Sequence, residues 1–316
     1  MNGVMSTAKE NLQTLEGLTI RRQGESLETV SSKLSVFKLL NSSANFEITQ
    51  IDLEPDTRLT LTPAGSISET FFVLSGKLTC DSDRGQQVLS NGDYIVTQSL
   101  LEPAILTALK STSLLYITEQ AQFHTISEDL SELRRLAVEI ELKDGYTADH
   151  CSRLQNLSYA TGRELGLGSG RLHLLDYGAY LHDVGKIRVP LAILNKPGKL
   201  TPEEWKVIEK HPTYGRELLE QTFMKEAGTI VEQHHERSDG SGYPHELSGD
   251  EILIESSIVA VADTFDAMTT DRPYRKASTQ AEALTEVCKY AGVHYPKEVV
   301  KAFCSALKAG ILKREK

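Results

Sequence analysis

With 316 residues, 40% of them hydrophobic and 25% charged, the chain has the composition of a globular protein and the length for two domains. Forty-four Asp and Glu against 34 Lys and Arg leave a net charge of −10, which argues against a DNA- or RNA-coating protein. No apolar run reaches a membrane span and Met1–Leu12 has no apolar signal-peptide core, so a cytoplasmic location without membrane association is expected.

Four cysteines (Cys80, Cys151, Cys288, Cys304) form no CxxC pair and read as reduced thiols. All nine histidines lie between His124 and His294, so histidine chemistry belongs to the second part of the chain.

Residues 45–120 alternate and are rich in β-formers, as in "NFEITQIDL", "ETFFVLSGKLTCD" and "SLLYITEQ", with Ser-Gly, Asp-Arg-Gly and Asn-Gly-Asp turns between. Short strands at this spacing predict an all-β sandwich or barrel. "SETFFVLSGKL" followed by "LSNGDYIV", with Glu69 and Gly76, resembles a cupin barrel. A metal-binding cupin needs clustered histidines, and this segment has none. Residues 1–125 are therefore expected to be a cupin-like or cyclic-nucleotide-binding-like sensor or regulatory domain without catalytic metal, not an enzyme.

Over 126–143 the spacing turns helical, with Leu130, Leu133, Ala137 and Ile140 at 3-4-3 intervals. A connecting helix packed on its own domain and a dimer-forming signalling helix are both open. A homodimer through the barrel or this helix follows from the second reading.

From residue 144 to 316 helical patterns dominate. In "YLHDVGKIRVP" an apolar run from Leu172 to Leu181 meets His182-Asp183, and Gly185 ends the pattern. A buried carboxylate must be paired, protonated or bound to a metal. Alone, the pair reads equally as a helix C-cap beside a solvated charge. The neighbours decide otherwise. His150, His182-Asp183, His211, His234-His235 and Asp263 fall on successive predicted helices. Asp263 lies in the mostly apolar "SSIVAVADTFDAM", and His234 follows Ile230 and Val231 on an inward face. One inward histidine is usually a satisfied core residue; five histidines with two inward carboxylates suit divalent first-row metals better. Trp205 reads as core, and His124, His173 and His245 as surface or structural residues.

The order H…HD…H…HH…D resembles the HD-GYP subgroup of the HD-domain phosphohydrolases. The likeness extends through "HDVGKIRVPLAILNKPGKLTPEEWKVIEKHP", "HHERSDGSGYP" and "VADTFDAMTTDRPYR", over roughly residues 144–308. It implies an all-α HD-type bundle that hydrolyses cyclic di-GMP with a metal cluster, commonly iron or manganese. With the segment before it, the chain reads as multidomain, an N-terminal all-β cupin-like barrel followed by that bundle.

The resemblance implies that His150, His182, Asp183 and Asp263 hold one metal and that His211, His234 and His235 hold a second, with Asp183 bridging. Two divalent ions are expected, because Tyr146 stands where members with a third metal have glutamate. Asp183 and Lys186 carry the catalytic roles, Lys186 stabilising charge beside the scissile phosphate. Arg272 and Arg275 are expected to bind nucleotide, with solvated surface charge as the alternative for each. Tyr243 either meets a guanine base or packs the loop. Gly242 shapes that loop, and Asp239 orients it or the ligand. The product is linear pGpG, with continuation to GMP left open. Two rivals stand beside this reading: another cyclic dinucleotide such as cyclic GMP-AMP, and an inactive binding module, which usually lacks ligands that this sequence retains.

Overall fold

The computed structural model describes residues 14–15, 18–32, 34–82, 84–125, 150–271 and 276–309, and between 126 and 149 only residues 127–128, 131–132, 135–136 and 139. An antiparallel β unit is followed by helices, where the hydrophobic period changes.

After a two-stranded ribbon, β1 (Thr14–Leu15) and β2 (Leu18–Thr19), one sheet contains eight strands. These are β3 (Glu28–Ser31), β4 (Ser35–Ser42), β5 (Glu47–Leu53), β6 (Arg58–Leu61), β7 (Ser68–Ser82), β8 (Gly85–Ser90), β9 (Tyr94–Gln98) and β10 (Ala104–Thr118). The order is β3-β4-β5-β10-β7-β8, with β6 also on β10 and β9 also on β7. In β5 every second residue is buried (Glu47, Thr49, Ile51, Leu53), as a strand with one face on a core requires.

The two long strands exchange partners halfway. β7 takes β9 at Ser68–Phe72 and β8 at Lys77–Ser82; β10 takes β6 at Ala104–Thr107 and β5 at Thr112–Thr118. The register shifts between Ala108 and Leu114, opposite Gly76. Gly76 has φ +104°, and a Cβ there would lie 2.5 Å from Thr112 Cα. Only glycine fits. The bent sheet wraps a core that includes Phe37, Ile51, Leu61, Phe71, Leu78 and Leu114.

Glu69, the residue of the cupin resemblance, is an internal acceptor in this core. It takes hydrogen bonds from Tyr116 Oη at 2.6 Å and Thr97 Oγ1 at 3.0 Å. Burial and the Glu69 carboxylate push the Tyr116 phenol above its usual range. Among the described residues, no metal-competent cluster of three or more side chains lies in the β unit.

The helical part comprises α1 (His150–Glu164), α2 (Ser169–Leu181), a 3₁₀ turn (Val184–Arg188), α3 (Leu191–Leu194), α4 (Pro202–Ile208), α5 (His211–Leu219), α6 (Gly228–Gln233), α7 (Ile254–Thr269), α8 (Gln280–Lys289) and α9 (Lys297–Lys308). Leu154, Leu175, Ile258, Val261, Val299 and Phe303 anchor its main core. Thr201 caps α4 as its sequence predicts: its hydroxyl accepts from Glu204 N, and the Glu204 carboxylate accepts from Thr201 N. Trp205 corrects an expectation. It is 47% exposed, because α4 is a short surface helix with no buried residue.

The heptad residues Leu130, Leu133, Ala137 and Ile140 lie outside the described residues, as does Tyr146. Leu136, from the same stretch, is buried against Leu181, Val184, Leu219, Met224 and Val231 of the bundle.

A polar clasp joins the β unit to α1 and α2. Arg58 Nε donates to Asp176 Oδ1 at 2.7 Å and its Nη1 to Asn156 at 2.8 Å, and its guanidinium lies 4.6 Å from the Tyr159 ring centre. Tyr159 Oη donates to Asp81 at 3.1 Å, while Ile105 packs with Tyr159 and Leu172. The clasp grips the two helices that lead from His150 and into His182.

Candidate metal centre

Two groups of side chains converge at one end of the bundle. Ligand atoms of Asp183, His211, His234 and His235 lie within 4.8 Å of one another, and so do those of His150, His182 and Asp263. Asp183 stands between the groups: Oδ2 is 3.2 Å from His182 Nε2, and Oδ1 is 3.2 Å from His211 Nε2 and 3.9 Å from His234 Nε2. His150 Nε2 is 3.8 Å from Asp263 Oδ1.

The local fold explains why the imidazoles aim inward. His182 and His234 follow the last residues of α2 and α6, and His211 opens α5 just after the end of α4. In each, Nδ1 reaches the carbonyl three residues earlier: Ala179 at 2.9 Å, Ile208 at 2.8 Å and Val231 at 2.6 Å. A proton on Nδ1 satisfies a helix-end carbonyl and leaves the Nε2 lone pair facing the centre. His150, the first described residue of α1, has Nδ1 2.7 Å from Asp266 Oδ2.

The inner faces are not satisfied in the same way. Among the described residues, His182 Nε2, Asp183 Oδ1 and Asp263 Oδ1 are buried with no partner in hydrogen-bond geometry. Such atoms are costly unless something coordinates them. Burial and the neighbouring His182 and His211 hold His234 well below the usual imidazole range, and burial with His234 and His211 does the same for His235. Burial alone would raise the Asp183 carboxyl, but Lys186 and His182 hold it well below the usual range. Burial opposes protonation of His182, but the Asp183 carboxylate outweighs it and raises that imidazole, whose proton a metal would displace. Neutral imidazole and ionised carboxylate are the metal-binding forms, and these donor types fit divalent first-row ions.

Close packing fixes the frame. A Cβ on Gly185 would lie 1.9 Å from His211 O, so the turn after Asp183 abuts the start of α5 directly. Lys186, in that turn, donates from Nζ to Asp183 Oδ2 at 2.8 Å.

The "DGSGYP" segment covers one flank. Tyr243 lies over His235 with ring centres 4.8 Å apart and an interplanar angle of 34°. Its ring thus rests on an inward-facing imidazole. A Cβ on Gly242 would meet Arg237 N at 2.4 Å. Asp239 binds the Ser241 amide at 3.1 Å and hydroxyl at 2.6 Å, and lies 3.7 Å from His294 Nε2. It orders its own loop. Arg272 and Arg275 lie outside the described residues.

Two supporting residues escape a reading of the sequence. Asp266, three residues after Asp263 on α7, binds both His150 and Arg153. The i, i+3 spacing, which puts both carboxylates on one helix face, is the available signal. Glu236, 2% exposed, accepts from the amides of His245 at 2.7 Å and Leu247 at 3.0 Å and ties down the loop exit. Nothing local marks it.

The chain is 41% identical over 173 residues to the cyclic di-GMP phosphodiesterase response regulator RpfG of Xanthomonas campestris, covering 54% of this chain and 46% of that protein. It is 38% identical over 216 residues to a cyclic di-GMP phosphodiesterase of Thermotoga maritima, covering 67% and 57% respectively. A 3'3'-cGAMP-specific phosphodiesterase 2 of Vibrio cholerae is 36% identical over 169 residues, with 52% and 32% covered. The chain thus spans about half the length of the curated relatives it matches. A cupin superfamily structure from Desulfitobacterium hafniense aligns with 29% of this chain and 83% of its own at TM-score 0.26 and 13% identity, too low a score to carry any argument. The HD domain profile matches residues 134–299, more than half of the chain and all seven inward-facing His and Asp residues, and the chain therefore belongs to the HD-domain family.

Proposed function

We propose that this protein is an HD-GYP-type, metal-dependent phosphodiesterase that hydrolyses cyclic di-GMP to pGpG. The observation that carries the reading is Asp183, whose two oxygens face two separate groups of inward nitrogen and oxygen donors. His150, His182, Asp183 and Asp263 would hold one divalent ion, and Asp183, His211, His234 and His235 the other, with iron or manganese matching the donors. Bound there, such ions activate water at neutral pH and neutralise phosphate charge. The chain's own contribution is positioning. Helix-end carbonyls and Asp266 fix the imidazoles, and Lys186 places positive charge at the edge of the centre, where charge develops on a phosphodiester. Arg272 and Arg275 are proposed to grip the nucleotide, with Tyr243, Gly242 and Asp239 shaping that side of the site.

The β unit, residues 1–125, is proposed to regulate. The clasp between Arg58 and Asp176 supports this, since Asp176 lies on the helix that ends at His182. A second substrate reading, 3'3'-cGAMP, is favoured by the cGAMP-specific relatives.

The test uses the full chain with measured metal content, incubated separately with cyclic di-GMP and 3'3'-cGAMP and followed by chromatography. Linear pGpG appearing faster than linearised cGAMP is expected. Faster cGAMP cleavage would select the second reading, and a metal-replete protein that cleaves neither would overturn both.

A further inference from the structure

We propose that Cys288 and Cys304 form a redox-modification site, in which a low-molecular-weight disulfide oxidises the two thiols to one intrachain disulfide joining α8 to α9. This inference does not depend on the substrate assigned above.

The Sγ atoms lie 3.8 Å apart. A disulfide closes that separation to about 2.05 Å, an approach within reach of side-chain motion. Cys288 is exposed near the end of α8, and Cys304 is partly buried against the main core. An exposed thiol contributes little to packing, so burial does not account for Cys288. Cys80 lies in the β unit and Cys151 is buried in α1, which leaves this pair as the two thiols in contact among the described residues.

The asymmetry sets the order of events. Burial, and then contact with Cys288, pushes the Cys304 thiol up to about 11, so Cys304 is the poorer first attacker. Cys288 loses its proton to solvent and attacks the small disulfide, forming a mixed disulfide and releasing one small thiol. Cys304 then loses its proton and displaces the second small thiol. Two cysteine thiols and one small disulfide become one protein disulfide and two small thiols. The protein loses two electrons and the small disulfide gains them.

The bond would close over residues 289–303, and that segment supports the loop beside the metal centre. Ser238 N donates to His294 O at 3.0 Å, and Asp239 Oδ2 lies 3.7 Å from His294 Nε2. The Arg237 guanidinium sits 5.2 Å from the Tyr295 ring centre. Tyr295 Oη is 2.8 Å from Thr264 Oγ1, one residue beyond Asp263. Cross-linking the end of α8 to the middle of α9 restricts the intervening turn that carries His294 and Tyr295, and through it residues 237–239.

The experiment incubates the full chain with oxidised glutathione under native conditions, alkylates the remaining thiols and maps peptides by mass. Loss of two of the four thiols to an intrachain 288–304 link, reversed by dithiothreitol, is expected. Cys304→Ser should stop at a glutathione adduct on Cys288. Amide exchange at 292–295 and 238–240 should slow in the linked protein, and its Tm should rise by a few degrees. Four unmodified thiols, separate adducts on both cysteines, or a link between two chains would overturn the site. A link that leaves exchange at 238–240 unchanged would overturn its coupling to the loop.

Discussion

Asp266 Oδ2 lies 2.7 Å from Nδ1 of His150, and the same carboxylate takes two hydrogen bonds from Arg153, at 2.6 and 2.9 Å. His182, His211 and His234 are oriented by carbonyls of their own local turns. For His150, the first described residue of α1, a side chain from α7 plays that part. One acidic residue thereby links α7, which also carries Asp263, to His150 on α1.

We predict that Asp266→Asn lowers metal affinity by about 10- to 100-fold while the chain still folds, because the imidazole loses its anionic partner. Metal titration of the variant, read against circular dichroism, checks this; unchanged affinity would remove Asp266 from a positioning role. Metal-free protein gives a second readout. Burial opposes ionisation of Asp266, but hydrogen bonds from His150 and Arg153 outweigh it and bring the carboxyl from 3.8 to about 2. A depressed folded-state value contributes stability above the unfolded value, and that contribution is lost as pH falls through the folded one. The stability gap between wild type and variant should therefore be full above about pH 4 and shrink toward pH 2.

The inward-facing His and Asp residues were legible because burial acts residue by residue: apolar runs enclosing His182, His234 and Asp263 announce inward polar groups. The strands of 45–120 were legible for the same reason, through their alternation. Asp266 was not, since its partner lies 116 residues away and only the packing of α1 on α7 creates the contact. The pairing of Arg58 with Asp176 spans 118 residues and carries no local pattern either. Cys288 and Cys304 look unrelated in sequence and touch only because α8 and α9 pack together. Trp205 misled because size and hydrophobicity suggest burial, while the short α4 leaves it half exposed.

Replacing Asp183 by alanine should abolish hydrolysis and lower metal content, since its two oxygens face both donor groups. Elemental analysis of fully loaded wild type should give about two metals per chain, as a dinuclear site requires. Near-normal turnover with both metals retained in the variant would defeat the bridging role. A reproducible third metal in wild type would defeat the nuclearity.

At Gly185 the prediction concerns packing. An alanine Cβ would stand 1.9 Å from His211 O and 2.5 Å from Gly215 N, both backbone atoms that cannot swing aside. Gly185→Ala should cost about 1–3 kcal/mol as an overpacked site. It should also weaken metal binding by moving His211 away from Asp183. Denaturant unfolding and metal titration on one sample check both effects, and a variant matching wild type in both would show that α5 does not pack against this turn.

The last prediction concerns the clasp. The Arg58 and Asp176 side chains are only 6% and 9% exposed. Burial pushes the Asp176 carboxyl up, and the Arg58 charge opposes that shift. Removing the guanidinium leaves Asp176 with Gln155 Nε2 at 2.9 Å and no ion-pair partner among the described residues. Breaking one side of a buried pair typically costs about 3–5 kcal/mol, whereas replacing both sides with apolar groups of similar volume is often neutral. Arg58→Ala should therefore lower the unfolding midpoint clearly, and Arg58→Met with Asp176→Leu should recover most of the loss. The functional consequence follows from the position of Asp176, on the helix that delivers His182 and Asp183 to the centre. If the β unit acts through this joint, Arg58→Ala should change the basal rate of metal-loaded protein while its metal content stays at the wild-type level. Calorimetry, elemental analysis and turnover on the same preparations separate the outcomes. An unchanged unfolding midpoint would show that the clasp does not form in solution. A lowered midpoint with an unaltered rate per bound metal would make it a structural joint without regulatory effect.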